Sequence, residues 1–176
     1  ITGKSRSLAC LAVSKSGRGR LDYQARSEPP TLRAKKSMDE IEYQVVSEAP
    51  VEAIVALYEA GGWWQESEQW RAIIPRMITG SFCFMVARSR DGRLVGMGRA
   101  ISDGVSDAYI QDVVVLEEVR KRGIGRELVK RLAEYCSQQG IGWVGLVAEP
   151  GTQAFYESLG FRALEGFRPM LYGKQG

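Results

Sequence analysis

Val113-Val-Val-Leu-Glu-Glu-Val-Arg-Lys-Arg-Gly-Ile-Gly-Arg126 carries a β-branched strand through a short basic connection into two glycines that open an amphipathic helix. Leu128, Val129, Leu132, Tyr135 and Cys136 give that helix an apolar face at 3.6-residue spacing, and Gly140 stops it. The arrangement is an anion site in outline. A helix start offers backbone N–H groups without intrahelical partners and the positive end of the helix dipole. Gly123 and Gly125 let a ligand approach the backbone, while Arg120, Lys121, Arg122 and Arg126 add positive charge, a setting that suits a pyrophosphate. The same residues also read as an ordinary glycine-rich strand-to-helix turn with solvated basic side chains.

Two familiar phosphate loops are excluded. G-x-G-x-x-G needs a third glycine where Leu128 stands, and no G-x-x-x-x-G-K-[ST] occurs. Arg120-Lys-Arg-Gly-Ile-Gly125 instead matches every specified position of [RQ]-x-x-G-x-[GA], the phosphate loop of the GCN5-related N-acetyltransferases (GNAT). A second segment agrees: Glu149-Pro-Gly-Thr-Gln-Ala-Phe-Tyr-Glu-Ser-Leu-Gly-Phe161 carries Phe155-Tyr156 and Gly160-Phe161 in the places where that family has a short helix followed by G-F. The chain therefore resembles the GNAT family over residues 41–172. The run Tyr109–Val115 with Arg120 onward is similar to small-amine and serotonin-type acetyltransferases of plants and bacteria.

The order of periodicities outward from the loop is compatible with that resemblance. Ile41–Val46 alternates as a strand; Val51 to Tyr58 and Ser67 to Ile78 carry helical stripes, the second containing Pro75 as a kink or break. Phe82–Ala87 and Leu94–Ile101 flank Asp91-Gly92, a hairpin signal. Ala108–Val115 and Trp143–Ala148 read as strands, Thr152–Leu159 as a short helix, and Phe161–Leu164 and Pro169–Tyr172 as late strands. The expected architecture is an α/β (α+β) GNAT-like fold, a mixed and mostly antiparallel sheet flanked by helices in the order β-α-α-β-β-β-α-β-α-β-β.

The resemblance implies a cofactor and a set of roles. Acetyl-CoA would lie in a splay between the strand of Val113–Val115 and that of Trp143–Val147. The backbone of Val113 and Val115 would bond the pantetheine arm, and the amides of Lys121, Arg122, Gly123, Ile124, Gly125 and Arg126 would hold the pyrophosphate, with Arg120 and Phe155 beside them. Tyr156 matches the tyrosine that protonates the departing thiolate, and a phenol with an ordinary pKa near 10 suits that leaving group. Its alternative is a tyrosine packed beside Phe155.

The base is where the chain departs from the pattern. Many relatives carry Glu-Asp on the strand before the loop, and this chain carries Gln111-Asp112. Gln111 cannot accept a proton, and strand alternation places Asp112 on the opposite face. Asp112 is therefore a candidate base acting through water, or a residue that holds a strand bulge; Tyr109, Glu149 and water are the other candidates. Gly61-Gly-Trp-Trp-Gln-Glu-Ser-Glu68 joins the first two helices, where relatives line the acceptor pocket. Trp63 and Trp64 with Glu66 and Glu68 suit a cationic or aromatic amine, and also suit a half-core pocket wall.

Composition bounds the chemistry. The chain has 176 residues and no histidine, which excludes Ser-His-Asp and Cys-His catalysis and His-ligated zinc. Its three cysteines show no C-x-x-C spacing. They argue against a disulfide framework or a metal site and for a reducing, cytoplasmic setting in which Cys83 and Cys136 are small buried hydrophobes. The longest apolar run, Leu8–Val13, is far below a membrane span. Residues 1–37 hold nine Lys/Arg against two acids, whereas residues 38–176 hold fifteen basic and nineteen acidic side chains. The chain thus divides into a basic extension, 1–37, and an acetyltransferase domain, 38–176, with Met38 a candidate natural start. The extension lacks interleaved aromatics, so nucleic acid is an unfavoured partner.

These observations point to an N-acetyltransferase that moves the acetyl group of acetyl-CoA directly to a primary amine in a ternary complex, without a metal. The acceptor is a small molecule or a peptide, and the family allows a homodimer. A non-catalytic acyl-CoA-binding sensor of the same fold is the competing reading, resting on Gln111.

Overall fold

The computed structural model describes residues 40–173; the basic extension, Cys10 and the candidate start at Met38 lie outside the described residues. Five strands form one sheet in chain order: β1 (Ile41–Val45), β2 (Cys83–Ser89), β3 (Leu94–Ser102), β4 (Asp107–Val115) and β5 (Trp143–Leu146). The first four are an antiparallel meander, and β5 runs parallel to β4. A parallel neighbour needs a crossover, which is α3 (Ile124–Gln138). Asp91-Gly92 makes the β2–β3 hairpin, closed by Ser89 N–H donating to Arg93 O at 2.9 Å. The two helices between β1 and β2 are α1 (Val51–Ala60) and α2 (Glu68–Thr79), and α4 is the short Gln153–Glu157.

Helices cover both faces of the sheet. Leu128, Val129, Leu132 and Cys136, the stripe read from the sequence, are fully buried under α3. A close approach on that face accounts for one glycine: a Cβ on Gly98 would sit 2.8 Å from Leu132 Cδ1. On the other face α1 brings Ile54, Leu57 and Tyr58 down on β3 and β4. Cys83 and Cys136 are buried and free, as the sequence reading expects.

Three local expectations change. The helix α2 runs unbroken through Pro75, because that residue sits on the exposed side, where water can serve the carbonyl that loses its partner. Phe161–Leu164 and Pro169–Tyr172 form no strands. Positive-φ turns at Gly160 and Gly166 and the missing N–H of Pro169 cut that tail into pieces too short to hold a ladder. Met170, Leu171 and Tyr172 are fully exposed there, while Phe161 packs on Tyr156 with ring centroids 6.0 Å apart.

The third change is a bulge. Met97 pairs with Val114 but Arg99 pairs with Gln111, so β4 spends one residue more than β3 over this stretch. Asp112 takes up the slack at φ 54°, in the left-handed region that Asp tolerates better than most residues. The alternation that separates Gln111 from Asp112 is thereby broken, and the two side chains share a face.

Candidate active site

The pairing of β4 with β5 ends at Ile110–Leu146. Beyond it the chains part, and β4 continues to Val115 with its outer edge open. Leu116 N–H donates to Val95 O across the β3 side, so by alternation the peptide groups of Val113 and Val115 face the opening. The parting is the splay that the family resemblance implies.

The floor of the opening is the start of α3. Gly123 is its N-cap at φ 83°, a conformation suited to glycine, and no side chain caps the helix. The first intrahelical bond is Glu127 N–H to Gly123 O at 3.0 Å, so the amides before Glu127 have no partner in the helix. Lys121 holds the preceding turn at φ 62°. Gly125 lies under Val115 and Phe155, where an added Cβ would meet them at ordinary van der Waals distances of 3.6 and 4.0 Å. The protein's own packing therefore does not demand glycine at 125. Amides without intrahelical partners, an uncapped helix dipole and the outward peptide group of Val113 fit a pyrophosphate with an extended amide-bearing arm. Among the described residues no cluster of acids and cysteines could hold a metal ion.

Two of the basic side chains serve the frame. Arg120 Nε donates to Val115 O at 3.0 Å and its Nη2 to Ala60 O at 2.7 Å, tying α1 to the end of β4. Arg126 donates to Ser158 Oγ at 2.9 Å and stacks over Phe155, pinning α4 to α3. Positive charge over the loop from these two is thus fixed in place rather than free to follow a ligand.

Where the two strands begin to part is a cavity of about 460 Å³. Trp63, Tyr109, Gln111, Asp112, Val113, Glu149 and Tyr156 are on its walls. Tyr156 stands on α4 with its ring edge-on to Phe155 at 5.0 Å. Burial, and then the Glu149 carboxylate, raise its phenol above the usual 10. Trp63 Nε1 donates to Glu149 Oε1 at 3.2 Å, closing the cavity over the loop after β5. Tyr109 and Trp143 pack ring to ring at 5.2 Å on the adjoining strands.

Of the sequence candidates, Trp64 is not brought to this cavity. Its indole N–H donates to Glu66 at 3.0 Å and the Arg71 guanidinium lies over its ring. Arg71, then Trp64, hold the Glu66 carboxyl down at about 2. Asp112 is brought there but is heavily engaged: its Oδ2 accepts from Tyr58 Oη at 2.7 Å and from Arg99 Nε at 2.6 Å. Burial and the hydrogen bond to Asp112 push the Tyr58 phenol well above its usual range. Arg99 Nη2 also donates to Gln111 Oε1 at 3.2 Å. Tyr58 and Arg99 escaped the sequence reading, the first as one more member of an apolar stripe. Arg99 did leave a signal, since a charge inside the apolar run Leu94–Ile101 requires a partner.

Comparison with known proteins agrees with this geometry. Residues 46–161 match the model of the acetyltransferase (GNAT) family. The chain is 37% identical over 86 residues, 48% of its length, to GCN5-related N-acetyltransferase 2, chloroplastic, of Arabidopsis thaliana, covering 33% of that protein. It is 40% identical over 75 residues to serotonin N-acetyltransferase 2, chloroplastic, of Oryza sativa subsp. japonica, covering 43% of this chain and 38% of the relative. The matched region thus spans little more than a third of these curated relatives. Among solved structures, a GNAT-family acetyltransferase of Streptococcus pneumoniae superposes with a TM-score of 0.65 at 26% identity, over 78% of this chain and all of that one. AAC(6')-Iy in complex with the bisubstrate analogue CoA-S-monomethyl-acetylneamine shares the fold, with a TM-score of 0.62 at 17% identity over 78% of this chain and 99% of that one.

Proposed function

Because the chain belongs to the GNAT acetyltransferase family, we propose that it transfers the acetyl group of acetyl-CoA to the nitrogen of a primary amine seated in the cavity between Trp63, Glu149 and Tyr156. The observation that carries this reading is the cavity's position, which opens where β4 and β5 part and has Val113 of the β4 edge on its wall. The amides leading into α3 would hold the pyrophosphate and the edge of β4 the pantetheine arm. Bound there, the coenzyme supplies an activated acetyl thioester.

The chain's own groups handle the rest. A C–N bond forms as the C–S bond breaks; an amine that enters as an ammonium ion gives up one proton before attack and a second after it, one of the two is released to solvent, and one proton must reach the sulfur. Tyr156 keeps its proton through the physiological range, since burial and Glu149 raise its pKa, and it supplies the proton for sulfur. Glu149 is a carboxylate in the same cavity, oriented by Trp63, and suits an incoming ammonium group and its proton. Asp112 is placed to fix the bulge, with Tyr58 and Arg99 both ending on one of its oxygens.

Aromatic walls at Trp63, Tyr109 and Tyr156 beside the Glu149 carboxylate, with Asp112 engaged by Tyr58 and Arg99, suit an arylalkylamine. The similarity to a protein named serotonin N-acetyltransferase supports this choice. Thiol release from acetyl-CoA, measured across arylethylamines, linear alkylamines and a lysine peptide, tests the reading. Turnover highest with arylethylamines is the expected result; acetyl-CoA binding without turnover on any amine would favour a sensor instead.

A further inference from the structure

A neutral side chain facing the cavity has its direction fixed by a charge behind it. Arg99 has only donors. Its Nη2 lies 3.2 Å from Gln111 Oε1 while its Nε is committed to Asp112. The Gln111 amide is therefore held with its carbonyl toward the guanidinium, because the opposite orientation would set N–H against N–H. Its Nε2 points the other way, and among the described residues no protein group accepts from those two N–H groups. Gln111 lies on the cavity wall. The bulge at Asp112 is what allows this, since it brings both residues to the face of Arg99.

We infer that Gln111 is a specificity-determining residue: a fixed pair of N–H donors, backed by Arg99, that selects amines carrying a neutral oxygen acceptor apart from the reacting nitrogen. This rests on the acetyltransferase reading above. Glu149 and Gln111 then make different polar demands on a substrate at the cavity walls. Glu149 attracts the amine as a cation, and Gln111 offers donors that repel an ammonium but welcome an ether, hydroxyl or carbonyl oxygen. Arg99 is a positioning residue here, acting through Gln111.

The test is a matched pair of arylethylamines, tryptamine and 5-methoxytryptamine, assayed with the wild-type chain and with Gln111→Leu. An exposed hydrogen bond between neutral groups corresponds to a preference of about 3- to 10-fold in kcat/KM. Wild type is expected to favour the methoxy amine by that margin, and Gln111→Leu to acetylate both equally while keeping the thermal shift given by acetyl-CoA. Arg99→Met frees the amide to rotate and should shrink the preference while Gln111 remains. If Arg99→Met does not fold, Gln111→Leu alone decides. Equal rates on both amines in wild type, or a preference that survives Gln111→Leu, overturns the inference and leaves the acetyltransferase reading intact. No turnover of either amine, nor of any other, with acetyl-CoA still bound, overturns both.

Discussion

Arg99 Nε lies 2.6 Å from Asp112 Oδ2 across the bulge of β4, both side chains mostly buried. This ion pair ties β3 to the bulged residue of β4. Removing the carboxylate leaves a guanidinium and the Tyr58 hydroxyl without their shared acceptor. Asp112→Ala is expected to cost about 1–3 kcal/mol of stability in denaturant unfolding. Asp112→Asn should cost less, because Asn keeps an acceptor and tolerates the positive φ.

Alkaline pH should unfold the protein early. Tyr58 carries a raised pKa through burial and Asp112, so its contribution is complete below the unfolded value near 10 and is lost as pH rises toward the folded value. Burial pushes the Cys83 thiol up to about 12, with the same sign, from an unfolded value near 9. Melting temperature should therefore fall progressively above about pH 9. Tyr58→Phe should flatten the part of that fall above about pH 10, as read by thermal scans across pH.

Tyr156→Phe separates chemistry from binding. Loss of a positioned proton donor lowers kcat by about 10²- to 10⁴-fold. The acetyl-CoA thermal shift should survive, because the amides before α3 and the edge of β4 are untouched. Since the Tyr156 pKa is raised, no falling limb of kcat below pH 10 should belong to this residue.

Gly125→Ala should move stability and affinity in opposite directions. An added Cβ meets Val115 and Phe155 at ordinary distances, and alanine is the better helix former by about 1 kcal/mol. The melting temperature is expected to hold or rise while the Kd for acetyl-CoA increases, a combination that calorimetry can read directly.

The fold and the glycine turn that opens α3 were legible because both are written in local pattern. The stripe Leu128–Cys136, the Asp91-Gly92 turn and the Gly123–Gly125 opening need only neighbours in the chain to be read. The acceptor side was less so. Asp112 changes face through a single extra residue in β4, which no alternation rule can see. Trp64 turns to Glu66 and Arg71 rather than to the cavity, a pairing of near neighbours that residue type alone does not announce. Phe161–Leu164 and Pro169–Tyr172 have strand composition but are bounded by the turns at Gly160 and Gly166 and by Pro169, so composition exceeded what the backbone could pair.

The most direct test of the coenzyme site is thermal unfolding of the full chain with and without acetyl-CoA. At ~100 times Kd, a ligand bound only by the folded state adds about 2.7 kcal/mol, which raises the midpoint by several degrees in a chain of this size. A clear upward shift is predicted. A cooperative unfolding transition that does not move at millimolar acetyl-CoA would contradict the assignment of the β4 edge and the α3 amides as its binding site.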